Sequence, residues 1–175
     1  MQGVETNSSQ PVIPGRACGA CTLCCKVYDI PEAESVAGAW CRHCTPGKGC
    51  NIWENRPKLC RDFNCMWLTQ AWLGPEWKPD RARMVITTDP LNRFLQFQVD
   101  PGFPNAWKRE PYYSTIKRWA DEGLKHKRYT LIYHNRLTTL VLPDREEPLG
   151  VVNIGDTLRV TIGRTGRLEA KVERA

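Results

Sequence analysis

Residues 18–25 read Cys18-Gly19-Ala20-Cys21-Thr22-Leu23-Cys24-Cys25, and five more cysteines follow at Cys41, Cys44, Cys50, Cys60 and Cys65. All nine cysteines of the chain lie between Cys18 and Cys65, and residues 66–175 contain none. Two residues between thiols let the backbone close into a tight turn that offers both sulfurs to one metal. Paired turns of this kind supply the tetrahedral thiolate set that zinc takes. The rhythm of Cys18, Cys21 and Cys24 also matches the start of a bacterial ferredoxin run, although no Cys-Pro follows at that offset. The spacing therefore specifies a soft metal and leaves zinc and iron both open. Cys24 and Cys25 are adjacent, so their side chains diverge. They serve two different metals, or one is a ligand and the other a buried, free or redox-active thiol.

A disulfide-stapled secreted domain is the competing explanation of dense cysteines. The odd number, the adjacent pair and a long cysteine-free remainder argue against it. The opening residues Met1–Ser9 show neither a basic segment nor an apolar one, so no secretory signal is expected. No run approaches the eighteen or so apolar residues of a membrane span. At 175 residues and 20.0 kDa the chain can bury a core without a staple. Its formal charge of +6 and pI near 8.9 are mildly basic. That balance says little about nucleic acid, because a zinc ion held by four thiolates carries about −2.

The cysteine run, together with Cys41 and the stretch Gly49-Cys50-Asn51-Ile52-Trp53-Glu54-Asn55-Arg56-Pro57-Lys58-Leu59-Cys60-Arg61-Asp62-Phe63, resembles the YkgJ-type cysteine-cluster family. That family is described as zinc- or iron-chelating and reads CxxCxxCC … C … CxIYExRPxxCRxF. The resemblance covers residues 16–68 and implies that Cys18, Cys21, Cys24, Cys25, Cys41, Cys50 and Cys60 are the family cysteines. Cys44 stands where an apolar residue is usual, Trp53 replaces the common tyrosine, and Cys65 lies beyond the core motif. The additional thiols point to a second or a different metal, so all nine cysteines are candidate ligands. The resemblance implies chelation more than a reaction; a related cluster occurs in flagellin lysine methylases, but no methyl-donor motif is visible here.

Arg56 and Arg61 bracket Cys60, where their guanidinium groups would offset thiolate charge around a metal. His43, between Cys41 and Cys44, is a candidate nitrogen ligand or an exposed neighbour. Pro46-Gly47-Lys48-Gly49 lacks the spacing of a phosphate loop and reads as a turn between ligands. Trp40, Trp53, Trp67, Trp72 and Trp77 either shield the metal region or weld it to the rest of the chain.

Residues 1–16 show no periodicity and are expected to form a flexible tail. The cysteine module is expected over 17–73, and a second domain over 80–175, after Gly74-Pro75 and Lys78-Pro79. In that domain Arg83–Thr88 and Phe94–Val99 alternate apolar and polar residues around a turn, and Tyr129–His134 with Leu137–Leu142 is a second hairpin candidate. Leu158, Val160 and Ile162 pair across Arg164-Thr165-Gly166 with Leu168, Ala170 and Val172. Tyr112, Ile116, Trp119, Ala120 and Leu124 lie at helical spacing. The expected fold class is α+β: a small cysteine-rich metal-binding module joined to a mainly antiparallel β domain with one amphipathic helix.

The expected function is a cytoplasmic metal-binding protein that holds zinc or iron, the iron in an iron–sulfur centre. An iron–sulfur redox or protein-modifying enzyme is one alternative. A basic nucleic-acid-binding zinc module is another, because residues 105–136 hold eight Lys or Arg against Glu110, Asp121 and Glu122. The expected partners are a metal ion and a protein, with no membrane; His126 and His134 are read as structural or exposed.

Overall fold

The fold is organised by one five-stranded sheet, seen in a computed structural model that describes residues 10–153 and 155–175. In chain order the elements are α1 (Cys24–Val27), β1 (Cys44–Thr45), β2 (Gly49–Cys50), α2 (Lys58–Asp62), α3 (Met66–Thr69), α4 (Pro79–Ala82), β3 (Met84–Thr88) and β4 (Leu95–Val99). There follow α5 (Tyr112–Leu124), β5 (Thr130–His134), β6 (Leu137–Val141), β7 (Glu146–Val151), β8 (Thr157–Ile162) and β9 (Leu168–Glu173). The sheet order is β3-β4-β5-β6-β7, while β1-β2 and β8-β9 are separate two-stranded ribbons. Among the described residues no helix is long and apolar enough to cross a membrane.

The three expected hairpins form as β3–β4, β5–β6 and β8–β9, each antiparallel. In the first, Asp89 Oδ1 accepts hydrogen bonds from the backbone N–H groups of Leu91 and Asn92, at 3.0 and 2.6 Å, and so shapes the turn. In the second, Asn135 and Arg136 both sit at positive φ, 48° and 67°, the backbone a two-residue hairpin needs to follow the strand twist. Two features go beyond the sequence expectation. β4 and β5 pair in parallel, because α5 carries the chain back over the sheet before β5 begins. β7 adds a fifth strand with a register shift opposite Thr138 and Thr139. Its sequence, Glu146-Glu147-Pro148-Leu149-Gly150-Val151, hides it: Pro148 cannot donate to a ladder, and a charged, proline-bearing strand is suited to an edge.

Helix α5 forms where the sequence places it. Tyr112, Ile116 and Ala120, four residues apart, are its buried residues. They pack with Met84, Ile86, Phe97, Val99, Ile132 and Val141, the alternate residues of one sheet face. The helix ends at Gly123–Leu124 because the chain folds tightly back: a Cβ on Gly123 would lie 2.5 Å from the Arg128 carbonyl oxygen. On the other face Leu131 and Leu140 pack with Leu142 against half-buried Leu158, Val160, Leu168 and Ala170 of the β8–β9 ribbon.

Near strand β3 that second face meets the cysteine segment instead. Val85 joins Leu23, Val27, Tyr28, Ile30, Cys41, Cys65 and Leu68 in a core of their own. Helix α3 belongs to both cores, since Met66 is buried with the sheet and α5, whereas Leu68 is buried with the cysteines. Of the tail expected over 1–16, residues 1–9 lie outside the described residues. Ile13 donates its N–H to the Leu68 carbonyl at 2.9 Å, and the Arg16 guanidinium donates to the carbonyls of Trp67, Gln70 and Leu73. A cation at the C-terminal end of α3 satisfies carbonyls that the helix itself leaves open.

The cysteine segment is further tied to the sheet by Lys26 of α1, whose Nζ lies 2.7 Å from Asp100 Oδ1 just beyond β4. Both side chains are largely withdrawn from water, 16% and 3% exposed, so removing one leaves the other charge desolvated and alone. Asp100→Ala is expected to lower the free energy of unfolding by about 3 kcal/mol in a denaturant titration. Arg159→Ala, which opens an exposed pair with Glu173 on the outer ribbon, is expected to leave the midpoint unchanged.

Candidate metal centre

The cysteine segment has little regular structure, and its shape comes from a series of tight turns. Cys21 donates its N–H to the Cys18 carbonyl and Cys44 donates to that of Cys41, both at 2.9 Å. The Cys18-x2-Cys21 and Cys41-x2-Cys44 spacings thus close the turns they were expected to close. Cys24 and Cys25 open α1, and the Cys25 carbonyl accepts from Cys41 N–H at 2.9 Å, which joins the first cysteine group to the second. Cys44 and Cys50 face each other across the β1–β2 ribbon. The turn between them is the expected Pro46-Gly47-Lys48-Gly49, with Gly47 at φ +72° and its N–H donated to Thr22 Oγ1 at 3.1 Å. Cys60 lies in α2, and Cys65 is the residue before α3.

These turns bring Cys18, Cys21, Cys24, Cys25, Cys50, Cys60 and Cys65 to the wall of one cavity of about 460 Å³. Cys41 and Cys44 are not on its wall. Cys41 is buried in the cysteine core, and the Cys44 thiol lies near enough to Cys25 to help lower its pKa. Arg56 and Arg61 both reach the wall. His43 does not; its Nε2 accepts from Arg42 Nε at 3.1 Å. Three further wall residues had no signal in the sequence that set them apart: Lys48, read as part of a turn, Lys78, read as a domain boundary, and Trp67, one of five clustered tryptophans.

The electrostatics follow from burial. Desolvation pushes the thiols of Cys18, Cys21, Cys44, Cys60 and Cys65 above the ordinary range, to about 11 at Cys60 and about 12 at Cys44 and Cys65. The Arg56 and Lys78 cations work against this at Cys18. The adjacent pair splits. A hydrogen bond between them, followed by burial, pushes Cys24 well up, while the same bond brings Cys25 down to about 7, helped by Cys44. The two adjacent thiols are thus pulled in opposite directions, Cys24 towards keeping its proton and Cys25 towards losing it.

Among the described residues no three Cys, His, Asp or Glu side chains converge closely enough to hold a metal ion. The donor type fits zinc or iron; the arrangement does not form a closed tetrahedron for a single ion. Seven thiols instead surround a space much larger than one ion. In the basic segment 105–136, Trp107 and Tyr112 are buried, and half-buried Tyr113 and Trp119 pack against the same core. No family model, no curated protein and no solved structure matches the chain.

A thiol ionised near neutrality alkylates ahead of its neighbours. In metal-free, reduced protein at pH 7.5, limiting iodoacetamide is expected to label Cys25 first by peptide mapping. Its rate should rise through pH 7, while Cys60 and Cys65 stay slow until much higher pH. Equal labelling of all nine thiols would contradict the assignment.

Proposed function

We propose that the chain is a cytoplasmic metal-binding protein that holds zinc or an iron–sulfur centre in the thiol-lined cavity. The observation that carries this reading is the convergence of seven cysteines, from the run 18–25 and from Cys50, Cys60 and Cys65, on one wall. Thiolates are soft ligands suited to zinc and to iron–sulfur clusters, and no other chemistry needs so many of them in one place. The resemblance of residues 16–68 to the YkgJ-type cluster agrees with it, and nine free cysteines fit a reducing compartment.

The width of the cavity favours a centre of more than one metal atom over a single four-cysteine zinc staple. Such a centre would draw its ligands from the seven wall thiols, with Arg56 and Lys78 offsetting their charge from Cys18's side. Cys41 and Cys44 would shape the turn that carries Cys50. When bound, zinc would supply a structural cross-link, and an iron–sulfur centre would supply one-electron chemistry. The protein's own part is to keep the site dry on the inner side, through Leu59, Phe63, Leu68 and Val85.

The test is anaerobic purification followed by metal and acid-labile sulfide analysis per chain. Metal is expected at one or more atoms per chain, and Cys21→Ser and Cys60→Ser should each lose most of it. Cys41→Ala, away from the wall, should keep it. A chain that carries no metal and takes up none on reconstitution with zinc or with iron and sulfide would overturn the reading.

A further inference from the structure

The cavity's charged wall is all of one sign. Lys48, Arg56, Arg61 and Lys78 line it, and neither an aspartate nor a glutamate does. Lys78 is balanced by Asp80 at 3.2 Å, but among the described residues no carboxylate lies within ion-pair distance of Lys48, Arg56 or Arg61. Arg56 lies over the half-exposed ring of Trp53, 3.7 Å from its centroid, and donates to the Trp53 carbonyl at 2.6 Å. Arg61 in turn donates to the Arg56 carbonyl at 2.7 Å. Each guanidinium is thus anchored through one donor and has others to spare. Trp67, also on the wall, carries a buried indole N–H with no hydrogen-bond partner.

Balancing thiolate charge accounts for part of this set. It explains Arg56 and Lys78, which act on Cys18. It does not explain Lys48 and Arg61, which are exposed to solvent, where a charge does little for a buried group but meets any anion that arrives. The volume, about 460 Å³, lies in the range of pockets that take small organic molecules, and most of the wall is apolar.

We propose that the cavity admits a small organic anion, a carboxylate or phosphate ester with an apolar body, whose charged group is received by Lys48, Arg56 and Arg61. Leu59, Phe63 and Trp67 form the surface for the apolar body, and the Trp53–Arg56 stack forms one side of the entrance. The ligand lies beside the thiols, so the proposal rests on the reading of this cavity as a ligand-holding centre and adds its second occupant.

The test titrates phenyl phosphate and benzoate into the full chain by calorimetry, with phenol and benzylamine as neutral and cationic versions of the same ring. Metal content is measured on the same samples. Both anions are expected to bind saturably, at least about tenfold tighter than phenol or benzylamine, and more weakly as salt rises. The double variant Lys48→Gln, Arg61→Gln, which leaves Arg56 in place beside the thiols, should weaken anion binding about tenfold or more while keeping the metal content, and Arg61→Lys alone should retain most of the affinity. Anions that bind no better than phenol and benzylamine would overturn the proposal without need of any variant. So would a folded double variant that binds anions as the wild type does. A metal-loaded chain indifferent to anions sinks this proposal alone, whereas a metal-free chain that still binds them sinks only the metal-centre reading.

Discussion

The structure depends on one short helix being buried from two sides. Met66 is packed in the core between the sheet and α5, while Leu68 and the preceding Cys65 are packed among the cysteines. Strand β3 is divided in the same way, with Met84 and Ile86 on the helix side and Val85 on the cysteine side. The cysteine segment contains only helices of four or five residues and strands of two, too short to hold their shape unaided. A rigid sheet with a residue turned towards the thiols supplies what those elements lack. Arg16 and the Lys26–Asp100 pair brace the same seam, one at the end of α3 and the other between α1 and the strand end.

This arrangement sets the chemistry available at the cavity. Thiols withdrawn from water hold their protons, and most of those on the wall do. A centre that needs thiolates must therefore expel protons as it forms, or be helped by nearby cations and hydrogen bonds. Arg56 and Lys78 provide the first kind of help at Cys18, and the Cys24–Cys25 bond provides the second. The adjacent pair, whose side chains were expected to have different roles, has opposite tendencies, Cys24 to hold its proton and Cys25 to lose it. Apolar side chains and four cations share the cavity lining with the sulfurs.

Local pattern carried much of this. The three hairpins and α5 are written in residues a few positions apart, through alternation, turn chemistry and a four-residue apolar spacing. The two Cys-x2-Cys turns and the Pro46–Gly49 turn are equally local. Strand β7 was not legible, because Pro148, Gly150 and two glutamates lack the alternation that marks a strand, and only pairing with β6 makes it one. The parallel contact of β4 with β5 was invisible for a related reason: it depends on where α5 delivers the chain and not on any neighbour in sequence.

The sequence by itself determined that the chain has a thiol-rich segment and a mixed α and β remainder, since composition and short-range periodicity are properties of neighbours. Which thiols share a wall was decided only in three dimensions. Cys41 and Cys44 belong to a turn as good as that of Cys18 and Cys21, yet neither is on the cavity wall, while distant Cys65 is. Lys48 and Lys78, thirty positions apart in the numbering, meet around the same space for the same reason. Contacts of that kind arise when segments far apart in the chain are packed against a common strand, and no spacing along the chain records where that packing will bring them.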